Sequence, residues 1–217
     1  MKIRVVAFQL PLKIYNKQLN KSKLNICSKL AKLVYSYKKD VLICETEAEL
    51  LIVFQGTNHP SDWLYNLSTN KVDDIHSGFY QYSKNILAKY DLQGLVQSCN
   101  KPIYFVGHSR ASCCAIIILF ELAIYLQSKE CFLILFGSPK PGGRMFRSEF
   151  EKKLPNVKTY NFQNLKDIVC QFPPQDEFVH LNSNLYFFDT EYCYHEILKN
   201  HNMDTYIDAL QFFEDSK

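Results

Sequence analysis

Hydrophobic residues along this chain fall into two kinds of run. Residues 50–54 (LLIVF), 103–106 (IYFV) and 131–136 (CFLILF) are apolar at consecutive positions, the pattern of strands covered on both faces inside a sheet. Residues 41–44 (VLIC), followed by the polar stretch 45–49, predict a β-hairpin with 50–54. Residues 157–163 alternate and read as a further strand, and 185–188 as a late one. Between these lie segments with helical spacing: 15–37, where Leu19, Leu24, Ile26, Leu30, Leu33 and Val34 sit among lysines; 77–90; the strongly apolar 111–126; and 202–213. Residues 58–67 (NHPSDWLYNL) carry helix-start signals in Pro60, Ser61 and Asp62, with Trp63, Leu64 and Leu67 forming an apolar group. Alternation of strand and helix predicts an α/β layered fold with a largely parallel central sheet flanked by helices, read as one domain over 1–217.

The pattern changes most abruptly at 104–111, YFVGHSRA, where a strand turns sharply into the buried helix. Gly107 is expected to supply a backbone conformation that a side chain forbids, and Ala111 to let the helix approach the strand, so that Ser109 stands on a strained elbow. On these eight residues alone, a serine capping a helix N-terminus is the commoner reading. A serine nucleophile needs a histidine base and a third group that orients it. Asp167, just past the 157–163 strand, and a later histidine supply them in the order Ser, Asp, His. Of the six histidines, His59, His76 and His108 precede the acid, and His180 follows Pro173-Pro174 as a loop residue. His195 and His201 remain, and spacing favours His201. An oxyanion needs preorganised donors; the backbone N–H of Arg110 and the N–H and hydroxyl of Thr57, with Gly56 allowing close approach, are the candidates.

Composition narrows the class. At 217 residues the chain can bury a real core without staples. A formal charge of +3 gives no basis for a nucleic-acid partner. The eight cysteines show no paired short spacing, which points to reduced, buried thiols and an intracellular, soluble protein. Gln9 and Pro11 interrupt the apolar start, so no signal peptide is read, and Glu121 breaks the longest apolar run, which is too short for a transmembrane segment. No metal or organic cofactor is implied. The lysine-rich face of 15–37 reads as a solvated helix surface, with an anionic lipid surface as the less favoured partner.

Taken in order, these motifs resemble the class 3, or fungal-type, lipases of the α/β-hydrolase superfamily. Residues 51–57 (LIVFQGT) resemble the family's strand ending in F-R-G-T or F-R-G-S, and Asp62-Trp63 with Asn66-Leu67 its D-W-x-x-N-L segment. His76 to Phe79 is similar to V-H-x-G-F, Val106 to Ser109 to V-x-G-H-S, and Phe136 to Pro139 to F-G-S-P. Residues 164–169 fit N-x-x-D-x-V, and His201 with Tyr206 resembles the closing segment that pairs a histidine with a following tyrosine. The resemblance implies Ser109 as nucleophile, Asp167 as orienting acid, His201 as base, and Thr57 with the Arg110 N–H as oxyanion hole. It also implies a short lid helix at 58–67 whose Trp63, Leu64 and Leu67 meet a lipid–water interface, with Asn66 orienting Thr57. The implied activity is serine carboxylic ester hydrolysis on a lipid ester through an acyl-enzyme, as a triacylglycerol lipase or esterase. A phospholipase, a small-ester esterase and a non-catalytic lipid- or protein-binding relative are the alternatives. Three departures stand out: Gln55 replaces the usual arginine, Arg110 a leucine and Ala111 a glycine. A charged Arg110 is expected to alter acyl-chain preference or lid docking.

Overall fold

The computed structural model describes residues 19–37, 39–57, 70–189 and 199–212. Its first helix, α1 (Lys21–Leu33), starts where the Asn20 side chain accepts the Lys23 N–H at 2.9 Å, and it tightens into a 3-10 turn at Val34–Ser36. Strands β1 (Val41–Glu45) and β2 (Leu50–Phe54) pair antiparallel as the expected hairpin, with Val41 opposite Phe54. A small hairpin, β3 (Lys71–Val72) and β4 (Ile75–His76), precedes helices α2 (Ser77–Lys89) and α3 (Leu92–Ser98). Strand β5 (Ile103–His108) leads into α4 (Arg110–Glu121) and the short α5 (Ala123–Leu126), so the apolar run read as one helix is two. Then come β6 (Cys131–Phe136), α6 (Arg144–Lys153), β7 (Lys158–Asn164), β8 (Asn184–Phe188) and α7 (Met203–Leu210).

The six-stranded sheet runs β1-β2-β5-β6-β7-β8, parallel from β2 onward. This sequential order governs where the helices go. Each crossover between neighbouring parallel strands has the same hand, so helices joining strands laid down in one direction all fall on one face. There Phe79 and Ile86 of α2, Val96 of α3, the apolar positions of α4, and Phe146 and Phe150 of α6 pack on Leu50, Ile52, Phe105, Leu133 and Leu135. The alternate positions Leu51, Val53, Tyr104, Val106, Phe132 and Ile134 face the other way, and α1 and α7 cover them. Burial on both faces explains the consecutive apolar residues, each fully buried side chain contributing roughly 1.5–3 kcal/mol.

The β3–β4 hairpin turns on Asp73 and Asp74, with φ of 52° and 62°, the primed geometry that suits strand twist. The Asp74 carboxylate accepts the Met145 and Phe146 N–H groups at 2.9 and 3.2 Å, so it caps α6 and holds the hairpin against the loop after β6. No helix among the described residues is long and apolar enough to cross a membrane. All seven described cysteines are free, and burial pushes the thiols of Cys27, Cys114 and Cys131 up to about 12, which keeps them unreactive at neutral pH.

Candidate active site

Parallel strands end together, and the candidate residues gather at the C-terminal ends of β2, β5, β6 and β7, the edge where open α/β sheets place ligands. Ser109 lies between β5 and α4 with φ 63° and ψ −135°. It occupies the N-cap position, but its side chain makes no capping bond, and its buried Oγ has no hydrogen-bond partner among the described residues. This argues against the capping reading. Positive φ at a non-glycine residue costs about 1–3 kcal/mol. Surrounding bonds hold it there: the Ser109 N–H donates to the Phe136 carbonyl at 3.0 Å, and the Ser112 N–H to the Ser109 carbonyl at 2.9 Å.

Gly107 is not the residue with the forbidden backbone, since Gly137 is the one described glycine with positive φ. Its contribution is space: a Cβ on Gly107 would overlap the Ala111 carbonyl and lie 2.6 Å from the Ser112 nitrogen. The strain sits on Ser109 itself, and Gly107 lets helix and strand approach closely enough to impose it.

Asp167 and His201 meet in the structure. Asp167, fully buried after β7, accepts the Val169 N–H on Oδ1 at 2.9 Å. Its Oδ2 lies 2.6 Å from His201 Nδ1 and also accepts the Tyr206 hydroxyl at 2.6 Å. Since the carboxylate oxygen accepts, Nδ1 carries the proton in this pair, which leaves Nε2 as the lone-pair nitrogen. His201 Nε2 is buried and, like Ser109 Oγ, has no hydrogen-bond partner among the described residues. Burial and the Asp167 charge hold the Tyr206 phenol well above its ordinary range, so it remains a donor. Gly137, at φ 55°, leaves the needed room: a Cβ there would stand 2.9 Å from Asp167 Oδ2 and 3.1 Å from His201 Cε1.

Thr57 follows β2, and its buried Oγ1 has no hydrogen-bond partner among the described residues. Gly56 makes the expected close approach, because a Cβ would overlap the Tyr35 hydroxyl and lie 2.9 Å from the His108 carbonyl oxygen. Arg110 is the first residue of α4, where a backbone N–H has no partner one turn earlier. Thr57, His108 and His201 line a cavity of about 590 Å³ that runs between α1 and α7, past Tyr35, Leu33, Lys29, Lys32, Met203 and Asp204. Trp63, Leu64 and Leu67, with the whole 58–67 segment, lie outside the described residues, as do Asn66 and His195.

Sequence reasoning missed His108 and Tyr35. Chain order excludes His108 as the base, yet its ring stacks on His201 at 4.7 Å. Its Nε2 meets the His201 carbonyl at 2.8 Å and therefore donates; Nδ1 then accepts from the Tyr35 hydroxyl at 2.8 Å. Adjacency to the elbow serine was the available signal for His108. For Tyr35 there was none, since it ends a helix with no chemical pattern of its own.

Burial, reinforced by His201, holds the His108 imidazole well below its ordinary range, and burial brings His180 to about 4. Both are neutral in the folded protein at pH 5, whereas in the unfolded chain they take up protons below about 6.5. The unfolded state then binds more protons, so stability is full above that value and falls as pH drops through it. The expected slope is about 1.4 kcal/mol per pH unit for each histidine. Guanidinium unfolding at pH 7 and pH 5 measures it, and equal stabilities would contradict the assignment.

A family description for class 3 lipases matches residues 51–177, from β2 through the Asp167 loop. The chain belongs to the class 3 lipase family. Solved structures agree on the α/β-hydrolase fold of this lipase-family chain. It is similar to the nonglycosylated lipase of Yarrowia lipolytica (17% identity, 76% of this chain and 78% of that one, TM-score 0.62). It is likewise similar to the triacylglyceride lipase of Rhizomucor miehei (18% identity, 86% and 83%, TM-score 0.62). A third similar structure is a triacylglycerol lipase whose catalytic centre is formed by a serine protease triad (17% identity, 93% and 94%, TM-score 0.61). No curated protein sequence matches the chain. The family match ends before His201, so the placement of that residue rests on its bond to Asp167.

Proposed function

We propose that this protein is a serine carboxylic ester hydrolase, a lipase or esterase acting on lipid esters, with Ser109 as nucleophile, His201 as base and Asp167 as orienting acid. The observation that carries the reading is the buried Asp167–His201 pair, with Nε2 unengaged among the described residues, together with a serine held at φ 63° whose hydroxyl is equally unengaged. A serine that packs or caps has no need of that geometry.

In the first step Ser109 Oγ attacks the acyl carbonyl carbon while His201 Nε2 takes its proton. Asp167 keeps Nδ1–H in place and stabilises the imidazolium. The oxyanion receives the Arg110 N–H and the Thr57 N–H and hydroxyl, donors fixed before charge develops. His201 then returns the proton to the leaving alcohol, which departs as the acyl-enzyme forms. Water, deprotonated by His201, attacks the acyl-enzyme and regenerates Ser109. Ser109 has no exposed surface, so a cover must move before an ester enters. Residues 58–67, with Trp63, Leu64 and Leu67, are the segment we assign to that cover at a lipid–water interface.

A p-nitrophenyl alkylphosphonate tests the reading. The expected result is release of one equivalent of p-nitrophenol per chain and a mass increase on the peptide containing Ser109. Labelling elsewhere, or none together with no hydrolysis of p-nitrophenyl butyrate, would overturn it.

A further inference from the structure

Arg110 stands next to the elbow serine, yet its guanidinium makes no ion pair among the described residues, and its Nε is buried with no hydrogen-bond partner. Instead it lies over the Tyr82 ring of α2, 3.8 Å from the centroid, close enough for a strong cation–π contact. Tyr82 is fixed at its other end, where its hydroxyl donates to the Gln55 carbonyl at 3.0 Å. Gln55 is two residues before Thr57, in the turn that leaves β2. A separate tie holds the turn on the far side, the Gln55 N–H donating to the Asp40 carbonyl at 2.8 Å. Gly56 is pressed against Tyr35 and the His108 carbonyl. Of these restraints, only the Tyr82 contact joins the turn, through Arg110, to the first residue of the helix that follows Ser109.

We propose that Arg110 and Tyr82 form a clamp holding the Gln55–Thr57 turn against the elbow, so that the Arg110 side chain is a positioning residue for the oxyanion donors of Thr57. The two donors come from different strands, β2 and β5, and the oxyanion requires both within a few tenths of an ångström of their places. The clamp ties the turn after β2 to the first residue of α4 through Tyr82 of α2. Burial pushes the Tyr82 phenol up to about 12, and nearby Arg110 only partly offsets this. The hydroxyl therefore remains a donor to Gln55 throughout the neutral range. Both departures at these positions fit the role: Gln55 is engaged here through its backbone, and Arg110 supplies a planar cation suited to lie on a ring.

This inference rests on the ester-hydrolase reading, and its test has one arm that does not. Tyr82→Phe keeps the ring and removes the hydroxyl; Arg110→Met removes the cation; Arg110→Lys retains a cation. Tyr82→Phe and Arg110→Met are each expected to lower kcat on p-nitrophenyl butyrate about tenfold with KM within twofold. Arg110→Lys, which keeps the charge but not the planar stack, should fall between Arg110→Met and wild type, and the double variant should be no worse than the poorer single, since both act on one path. Hydrogen exchange across residues 55–57 should quicken in both weakened variants while β6 is unchanged. Losses that appear in KM, losses that multiply in the double variant, or unchanged exchange at 55–57 would overturn the clamp. If wild type shows no hydrolysis dependent on Ser109, the ester-hydrolase reading fails instead, and the exchange arm alone decides whether the clamp exists.

Discussion

Ser109→Ala is expected to lower ester turnover by about 10⁴- to 10⁶-fold, leaving the slow rate that binding and oxyanion donors alone provide. The substitution removes one oxygen that makes no hydrogen bond in the folded protein, so no structural bond is lost with it. Alanine inherits the strained backbone that serine already tolerates, and the Ser109 N–H bond to Phe136 is unaffected. Melting temperature should therefore stay close to wild type. Initial rates on p-nitrophenyl butyrate for the two proteins, with circular dichroism melts beside them, decide the matter. Equal rates would end the catalytic reading whatever the fold resemblance.

Loss of the base should be nearly as severe. His201→Ala is expected to cost about 10⁴-fold or more in kcat, because the serine then has no proton acceptor and Asp167 no group to orient. His195→Ala should leave turnover within a fewfold of wild type. The contrast matters because chain order alone admitted either histidine. The 2.6 Å contact between His201 Nδ1 and Asp167 Oδ2, the stacking on His108 and the bond from His108 to the His201 carbonyl together hold His201 in one orientation. Activity that survives His201→Ala and vanishes in His195→Ala would move the base to His195. Since His201→Ala also opens a buried gap beside Tyr206, His201→Gln, which fills most of that space, serves as the second variant.

The strands were legible because burial on two faces leaves a local mark. Residues 131–136 are apolar without interruption, and β6 has those bounds. That the candidate residues share one edge of the sheet was legible because parallel strands bring their ends together. What escaped depended on contacts without any period. Nothing in 104–111 distinguishes a glycine needed for its φ from one needed for its space, and only the approach of Ala111 separates them. Arg110 reads as a charge facing the substrate or the lid until Tyr82, well upstream on another helix, is seen beneath it. Tyr35 and His108 find each other across the sheet edge, a pairing that spacing does not encode. The break at Leu122, which divides α4 from α5, is equally silent in an apolar run.

Because every crossover helix of the sheet is laid on one face, the other face is left to the helix before β1 and the helix after β8. Those two meet directly: Lys32 of α1 pairs with Asp204 of α7 at 2.5 Å, and Lys21 reaches the Gln211 carbonyl at 2.6 Å. His201 arrives on the segment just ahead of α7, and the cavity beside it has α1 for its other wall. The proposed base thus sits in a cavity walled by the first and last helices of the described chain, so whatever parts α1 from α7 unseats His201 while leaving the elbow and Asp167 on the sheet.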